Sequence, residues 1–185
     1  MMNHIHIALV HHPVLRGDSV ITSSVTNMDL HDISRLCCTF GIGSYFVVQP
    51  DSGQQHVVGK LLYHWKEGDG SKTNPDRKKA VELIKLTDSV DSAKKIITGK
   101  TGENPIVVAT TAREKRDSVP LDEIGFEKKR NILLLFGTAD GLAPELIENS
   151  DCIAEPIKAD TGYNHLSVRS AVSIFIDRLS HLCIM

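Results

Sequence analysis

Three polar loops follow predicted strands of this chain, and their composition suits the binding of a nucleotide-like cofactor. Residues 110–113 and 137–141 each follow an apolar run, and residues 158–165 follow a third segment that ends at Ile157. In open parallel sheets, ligands bind beyond the carboxyl ends of the strands, where such loops meet. The sequence therefore predicts a site for a nucleotide-like cofactor at one edge of a sheet.

The glycine-bearing loop Gly137-Thr-Ala-Asp-Gly141 excludes two common nucleotide sites. It is not G-x-G-x-x-G, and it lacks the Gly-Lys-Ser/Thr of a P-loop, so neither a Rossmann dinucleotide site nor an ATPase is expected. No G-x-S-x-G segment indicates a serine hydrolase. His165 has two interpretations, as a general base or as a residue at a helix start whose ring packs on Tyr163.

Length and composition indicate a single compact domain. The chain has 185 residues, a formal charge of −2 and 41% hydrophobic residues, which is typical of a soluble globular protein. No apolar run approaches the ~20 residues that a membrane span needs. The N-terminal segment lacks the basic start and the cleavage site of a signal peptide, and its alternation favours a first strand. We expect a cytoplasmic protein.

The spacing of cysteines and histidines predicts neither disulfides nor a metal site. The cysteines form no Cys-x-x-Cys pair, and we expect reduced, buried thiols. They are Cys37, Cys38, Cys152 and Cys183. The pairs His4/His6 and His11/His12 have no third ligand at suitable spacing, so no metal is predicted.

Basic residues are bunched, although the net charge is close to zero. Such clusters can bind phosphate groups, or they can be solvated helix faces and loop charges. The clusters are Lys66, Lys72, Arg77, Lys78 and Lys79, then Arg113, Lys115 and Arg116, and then Lys128, Lys129 and Arg130.

Strand and helix patterns alternate, which predicts an α/β fold with a mostly parallel sheet and helices on both faces. Strands are predicted at 5–10, 45–48, 82–86, 106–109, 132–136 and 152–154. Helices are predicted at 29–40, 54–65, 75–80, 89–97, 121–129, 144–149 and 167–182. The helix at 29–40 places Leu30, Ile33, Cys37 and Phe40 on one face. Residues 13–27 are predicted to form a long loop with Arg16-Gly17-Asp18 as a turn.

Three strings occur in a fixed order along the chain. They are Asn27-Met-Asp-Leu-His-Asp-Ile-Ser-Arg35 with Thr39-Phe-Gly41, Leu133-Leu-Leu-Phe-Gly-Thr-Ala-Asp-Gly-Leu142, and Ile157 with Tyr163-Asn-His-Leu-Ser-Val-Arg-Ser-Ala171. They resemble the motif regions of the SPOUT superfamily of S-adenosylmethionine-dependent RNA methyltransferases, also called α/β-knot methyltransferases. A bacterial branch of uncharacterised RNA methyltransferases is more similar still, through His64-Trp-Lys-Glu-Gly68, Asn74-Pro-Asp-Arg77 and Ala109-Thr-Thr-Ala-Arg113.

The resemblance covers nearly the whole chain and implies one SPOUT-like methyltransferase domain over residues 1–185. It implies a C-terminal deep trefoil knot, which is an exception to the rule that connections do not thread. It also implies a homodimer in which the partner chain completes each active site. The apolar faces of the helices at 29–40 and 167–182 are candidates for the dimer interface or, more simply, for the core.

The cofactor implied by the resemblance is S-adenosyl-L-methionine, bent within the knot and held chiefly by backbone groups of three loops. The residues carried over to this role are Thr110, Thr111, Ala112, Leu135, Phe136, Gly137, Thr138, Gly141, Ile157, Tyr163, Asn164 and Leu166.

Methyl transfer from a sulfonium requires a positioned acceptor whose proton is removed or polarised. In ribose-methylating relatives an arginine of the first motif serves, and Arg35 matches it; its alternative is a surface salt bridge with Asp32. Asp29, Asn164 and Ser167 are carried over as supporting catalytic groups. The substrate is expected to be tRNA or rRNA. Its predicted contacts are Arg16, Arg113, Lys115, Arg116 and the region 72–79.

Two positions depart from the family pattern. Ribose-methylating relatives carry Asn where this chain has Asp29, and the similar branch usually carries Gly-Trp where this chain has Ala139-Asp140. Asp140 could contact a cofactor amine or ribose, or it could repel RNA phosphate. Ribose 2′-O methylation is slightly favoured over a base nitrogen. The alternatives are a catalytically inactive knotted module that binds RNA or protein, and a methyltransferase acting on a small molecule or protein.

Overall fold

The computed structural model describes residues 2–125 and 130–182. Its main feature is a seven-stranded sheet in which every pairing between neighbouring strands is parallel, in the spatial order β5-β4-β1-β8-β6-β9-β7. The strands are β1 (Ile5–Val10), β4 (Ser44–Val48), β5 (Ile84–Thr87), β6 (Ile106–Ala109), β7 (Ser118–Val119), β8 (Ile132–Gly137) and β9 (Cys152–Ala154). The mostly parallel sheet is therefore confirmed, and the short β7 is the one strand of this sheet that the sequence did not predict.

Burial explains why the central strands are uniformly apolar. Every residue of β1 is buried, and so are the first five residues of β8 beside it. A parallel sheet covered on both faces needs apolar side chains at successive positions rather than at alternate ones. Such continuous runs are what the sequence pattern detected.

Helices cover the two faces of the sheet. They are α1 (Asn27–Phe40), α2 (Ser52–Lys66), α3 (Asp69–Thr73), α4 (Pro75–Val81), α5 (Val90–Thr101), α6 (Pro144–Glu148) and α7 (Val168–Leu182). Side chains of α1, α2, α4 and α7 pack into one core cluster with alternate residues of β1, and α5 and α6 pack into the other. The predicted helix at 121–129 is a 3-10 turn over Leu121–Glu123, and its residues 126–129 lie outside the described part.

The helix α1 begins and ends at residues with a clear local cause. The Thr26 side chain accepts a hydrogen bond from the Asp29 amide, which caps the first turn. At the other end Gly41 adopts a left-handed conformation with φ of 69°. Leu30, Ile33 and Cys37 are buried, so the predicted apolar face is confirmed and belongs to the core. The same holds for Val172, Phe175 and Leu179 on α7.

A hairpin occupies the segment that was predicted to be a long loop. Its strands are β2 (Val14–Arg16) and β3 (Ser19–Ile21), which pair antiparallel with Arg16 opposite Ser19. Gly17 supplies the positive φ, 56°, that the tight turn requires. The strands are too short for the alternating pattern to identify them, whereas the turn itself was predicted.

The strings His64-Trp-Lys-Glu-Gly68 and Asn74-Pro-Asp-Arg77 form one packed cluster. The Arg77 guanidinium lies 4.5 Å from the centroid of the Trp65 ring. The rings of His64 and His31 meet the same indole edge-on, at 4.9 and 5.2 Å between centroids. A Cβ at Gly70 would lie 2.7 Å from the Trp65 ring. These strings therefore specify how α1 to α4 pack together.

Within the described ranges, Cys37, Cys38 and Cys152 are free thiols. Cys37 is buried, which raises its pKa, whereas Cys38 and Cys152 are only half-buried, so the expectation of burial is wrong for these two. Cys183 lies outside those ranges. No group of three or more metal-ligating side chains occurs in residues 2–125 and 130–182. In the same part of the chain, no helix is long and apolar enough to cross a bilayer.

Two histidines at the ends of β1 are expected to make stability depend on pH. Burial lowers the pKa of both His6 and His11 from 6.5 to about 4. The native state therefore holds them neutral, whereas the unfolded chain protonates them below about pH 6.5. Their contribution to stability is present above pH 6.5 and is lost as the pH falls towards 4, by about 3 kcal/mol for each histidine at most.

Chemical denaturation at several pH values tests this expectation. His11→Gln should flatten the fall in the free energy of unfolding between pH 6.5 and 4. His165→Gln is the matched control, because His165 is exposed and its loss should leave the slope unchanged. Equal slopes in the wild type and in His11→Gln would contradict the assignment.

Candidate functional site

A cleft of about 890 Å³ opens where the loops after β1, β6 and β8 meet the segment before α7. Its volume lies in the range of sites for small molecules and cofactors. All three predicted loops contribute to its wall, so the convergence at one sheet edge is confirmed. The rest of the wall comes from β2, where only Arg16 was predicted, from the residues before α1, from α6 and from α7.

The loop after β6 is bonded to the neighbouring strand. Both the amide and the hydroxyl of Thr110 donate to the Leu135 carbonyl, at 3.1 and 2.8 Å. The next turn closes where the Arg113 amide donates to Thr111 Oγ1 at 3.1 Å. The backbone amide of Ala112 has no acceptor among the described residues, so it remains available to a ligand.

The loop after β8 is the tightest part of the site. A Cβ at Gly137 would lie 2.4 Å from the Leu142 nitrogen, and only glycine allows this approach. The Thr138 hydroxyl donates to the Val10 carbonyl at 3.0 Å. Ala139 has a positive φ of 52°, a strained conformation for a residue with a Cβ. Its amide, like that of Ala112, finds no acceptor within residues 2–125 and 130–182.

Two contacts join the segment before α7 to the loop after β6. Asn164 Nδ2 donates to the Ala112 carbonyl at 2.9 Å. Lys158 and Glu114 form an ion pair at 2.7 Å, and their hydrogen bond lowers the pKa of Glu114 and raises that of Lys158. Both of these charged side chains are largely exposed, so their ion pair contributes little to stability.

A partly buried ion pair lies in the wall of the cleft. Arg169 Nη1 donates to Asp29 Oδ1 at 2.8 Å, and Arg169 Nε lies 3.3 Å from Asp32 Oδ2. The other oxygen of Asp29 accepts the Thr26 hydroxyl at 2.6 Å, and the Tyr45 hydroxyl donates to the Asp29 carbonyl at 3.2 Å. Asp29 is 4% exposed. The hydrogens on Arg169 Nη2 find no acceptor in the described chain.

Cations lie along the open rim of the cleft. Arg16 stands at the end of β2, and Arg113 and Lys115 follow β6; all three are exposed and line the cleft. Arg116 is exposed but lies outside the lining, and so does the basic region 72–79 on α3 and α4.

Asp140 holds the hairpin against the loop after β8. Its Oδ2 accepts the Gly17 amide at 2.8 Å, and its own amide donates to the Leu15 carbonyl at 2.9 Å. The Leu15 amide in turn donates to the Gly141 carbonyl at 2.9 Å. The carboxylate is therefore engaged with protein backbone, an interaction that the sequence did not suggest.

Asp140→Ala is expected to loosen the hairpin without unfolding the protein. Loss of one exposed hydrogen bond should change the free energy of unfolding by about 1 kcal/mol. Hydrogen exchange measured by mass spectrometry should become faster in residues 14–21. Asp18→Ala, which removes a neighbouring exposed carboxylate, should leave that exchange unchanged. Slow exchange in both variants would show that Asp140 does not hold the hairpin.

Most of the predicted site residues line the cleft. For the cofactor these are Thr110, Thr111, Ala112, Phe136, Gly137, Thr138, Gly141, Ile157, Asn164 and Leu166; for catalysis Asp29, Asn164 and Ser167; and for RNA Arg16, Arg113 and Lys115. Leu135 is fully buried in β8, and Tyr163 projects outside the cleft.

Arg35 lies on the exposed side of α1 and does not line the cleft. Its predicted salt bridge with Asp32 is not formed, because Asp32 pairs with Arg169 instead. His165 lines the cleft, and its ring lies 5.4 Å from that of Tyr163, so the predicted packing is confirmed.

Sequence reasoning missed Arg169, Thr26 and Ser23. A signal for Thr26 was present, since Thr26-Asn-Met-Asp29 has the S/T-x-x-D/E pattern of a capping box. Ser23 lies between His11 Nδ1 at 2.9 Å and Thr138 Oγ1 at 2.5 Å. Neither this network nor the Arg169 ion pair has a spacing signal, because the partners are far apart in sequence.

Comparison with known proteins gives consistent matches. Residues 4–181 match the profile of a family described as SAM-dependent RNA methyltransferase. A protein of Oleidesulfovibrio alaskensis named tRNA (guanine-N(1)-)-methyltransferase is 43% identical over 182 residues, covering 95% of this chain and 41% of that protein. An uncharacterized protein of Aquifex aeolicus is 37% identical over 179 residues, covering 95% of this chain and 87% of that protein. The chain thus spans about two fifths of the length of the first relative.

Solved structures share the fold. A probable methylase family protein from Haemophilus influenzae superposes with a TM-score of 0.65 at 19% identity, covering 100% of this chain and 68% of that one. The SpoU methyltransferase AviRb from Streptomyces viridochromogenes, in complex with AdoMet, gives 0.59 at 12% identity, covering 98% and 57%. A structure described as giving insights into 2-OH methylation of C/U34 on tRNA gives 0.60 at 14% identity, covering 98% and 91%. At these identities the likeness is one of fold alone.

Proposed function

Because this chain belongs to the family of SAM-dependent RNA methyltransferases, we propose that it transfers a methyl group from S-adenosylmethionine to tRNA or rRNA in the cytoplasm. The observation that carries the proposal is the convergence of three loops on one cleft that has cations along its rim. The first feature suits a cofactor and the second suits a phosphate backbone.

The residues of the cleft fit a cofactor held chiefly through main-chain groups. Gly137 lets the loop after β8 turn tightly, and the unpaired amides of Ala112 and Ala139 can donate to a bound adenosine. The residues proposed to hold it are those predicted ones that line the cleft, with Leu135 acting through its carbonyl on Thr110. When bound, S-adenosylmethionine would supply the methyl group on a sulfonium.

Asp29 and Arg169 are proposed to orient the acceptor. The carboxylate of Asp29 is fully engaged, by Arg169 on one oxygen and by Thr26 on the other, so its role is to fix the guanidinium. The free Nη2 of Arg169 can then donate to an oxygen of the substrate. Asn164 and Ser167 support this arrangement by fixing the backbone before α7: Asn164 bonds Ala112, and the Ser167 hydroxyl accepts the Ser170 amide.

We propose a ribose 2′-hydroxyl as the acceptor rather than a base nitrogen. A guanidinium that donates to the acceptor oxygen suits a hydroxyl, and a fold neighbour is described as concerned with 2-OH methylation on tRNA. The relatives named guanine-N(1) methyltransferase are more than twice as long as this chain, so their name can refer to the part outside the aligned region.

We propose that the protein acts as a homodimer in which Arg35 serves the partner's cleft. Arg35 is six residues beyond Asp29 on α1, about 9 Å along the helix axis, and it does not reach the cleft of its own chain. If a second copy packs against α1, Arg35 can reach the cleft of that partner chain.

The chain path is proposed to form the trefoil knot. Strand β9 lies between β6 and β7, which precede it in sequence. The segment after β9 then contacts the connection between these two strands, through Asn164 and Ala112. This path brings the C-terminal segment next to the connection between β6 and β7, which is the loop that the segment would thread in a trefoil knot. A crystal structure that traces residues 110–117 and 155–167 checks it directly.

Binding and transfer assays test the proposed activity. The purified protein should bind S-adenosylhomocysteine in calorimetry, and it should transfer label from S-adenosylmethionine to undermodified bulk RNA. Nucleoside mass spectrometry of the product then distinguishes a methylated ribose from a methylated base. If RNA binds while S-adenosylhomocysteine does not, the protein is a binding module and the proposal fails.

Arg35→Ala and Gly137→Ala together test the shared site. Each variant alone should be inactive. Arg35→Ala removes the cation that is proposed to act on the acceptor, and Gly137→Ala distorts the loop that is proposed to bind the cofactor. When the two are mixed so that dimers exchange, a shared site should restore about a quarter of wild-type activity, because half the dimers then hold one intact site. If activity stays absent after exchange, Arg35 does not act across a dimer.

A further inference from the structure

Tyr163 presents an aromatic ring to solvent at the edge of the cleft. The residue is 72% exposed. One face of the ring is supported by His165, 5.4 Å away between centroids at an interplanar angle of 54°. Tyr163 does not line the cleft, whereas its neighbours Asn164 and His165 do. An aromatic side chain in such a position has a free face beside the site.

The backbone that carries Tyr163 is fixed on both sides. The Thr161 hydroxyl contacts the Tyr163 amide and carbonyl, at 3.4 and 3.3 Å. The turn before it contains Gly162 with φ of 69°, and Asn164 is bonded to the Ala112 carbonyl at 2.9 Å. The backbone on both sides of Tyr163 is therefore hydrogen-bonded, and the ring is exposed beside it.

The charge around this ring suits a nucleic acid. Asn164 bonds the same turn that carries Arg113, and Lys115 follows two residues later; both cations are exposed on the rim. Cations bind the phosphate backbone, and neighbouring aromatic rings stack on bases that have left a helix. Leu166, 46% exposed, adds an apolar side chain to the nearby wall of the cleft.

We propose that Tyr163 is a stacking platform for an unpaired base of the RNA substrate, beside the phosphate-binding cations Arg113 and Lys115. The proposal rests on the proposed function and deepens it, because the substrate must then present a single-stranded or extruded nucleotide at the cleft. It moves Tyr163 from the predicted cofactor set to the substrate set. Tyr163 itself does not line the cleft, whereas Asn164 and His165 do.

Short oligonucleotides separate stacking from charge. Hexaadenylate and an abasic ribose-phosphate hexamer have equal charge, and only the first can stack. Tyr163→Ala should weaken hexaadenylate binding roughly 5- to 150-fold and leave abasic binding unchanged. Tyr163→Phe, which keeps the ring, should bind both within about twofold of the wild type. Arg113→Ala should weaken both oligonucleotides alike.

Three results would overturn the stacking proposal. If the wild type binds hexaadenylate no better than the abasic hexamer, the proposal is overturned. The same follows if Tyr163→Ala weakens S-adenosylhomocysteine binding instead, or if it changes the association state in sedimentation, since the ring would then serve the cofactor or an interface between copies. Absence of S-adenosylhomocysteine binding in the wild type would overturn the proposed function while leaving the stacking test intact.

Discussion

Replacing Gly137 by alanine is expected to weaken cofactor binding strongly, on the order of 100-fold. The added Cβ would lie 2.4 Å from the Leu142 nitrogen and 2.6 Å from the Gly141 carbonyl carbon. Both atoms belong to backbone, so no side-chain rotation can relieve the overlap, and the loop after β8 must shift. A displacement of about 1 Å in a binding loop can cost on the order of 100-fold in function. Calorimetry with S-adenosylhomocysteine measures the loss.

The same substitution at Gly59 provides the matched control. Gly59 lies in α2, where a Cβ would meet nothing within 4 Å. Because alanine favours a helix over glycine, Gly59→Ala should stabilise the protein by up to about 1 kcal/mol and leave cofactor binding unchanged. Gly137→Ala should remain folded by circular dichroism. Normal affinity in Gly137→Ala would mean that the loop after β8 is not part of the cofactor site.

Asp29→Ala is expected to be the most destabilising change in the wall of the cleft. Its loss leaves Arg169, whose side chain is 29% exposed, with only the weaker contact to Asp32. Removing one partner of a buried pair costs about 3–5 kcal/mol. The remaining pairing and partial exposure place the expected loss near the lower end, about 3 kcal/mol, or roughly 6–12 °C in Tm for a chain of this length.

Asp32→Ala separates the buried contact from the exposed one. The side chain of Asp32 is 53% exposed, so its removal should change stability by at most about 1 kcal/mol. In the double variant Asp29→Ala/Arg169→Met the unpaired charge is gone, and part of the stability should return. Equal losses in Asp29→Ala and Asp32→Ala would contradict the assignment. Methyl transfer should fall in Asp29→Ala but persist in Asp32→Ala.

The parts of the fold that the sequence predicted are those with strong local patterns. The buried strands β1 and β8 are continuous apolar runs, and α1 combines a helical apolar period with a capping threonine and a terminal glycine. Each of these signals acts within a few residues. The hairpin β2–β3 and the strand β7 were missed because strands of two or three residues are too short to show alternation.

The candidate site divides in the same way. Its loops were predicted, because glycine and polar residues follow each strand directly in sequence. The ion pair between Asp29 and Arg169 was not, because 140 residues separate the partners. The contact of Asp140 was not predicted either: Gly17 was predicted to lie in a turn, but it is 123 residues away from Asp140. The string around Trp65 resembles the family, but the sequence did not predict its packing, because that packing depends on how four helices are arranged.

The hairpin that carries Arg16 and the loop after β8 share backbone hydrogen bonds on both sides of Leu15, and Val14 bridges to Leu142. These two parts of the site must therefore order together. If the cofactor orders the loop, it also restricts the cation that faces the RNA, and the binding of one ligand alters the free energy of binding the other. Thermodynamic reciprocity then requires RNA to change the cofactor's affinity by the same factor. The binding of the cofactor and the binding of RNA would then be thermodynamically coupled.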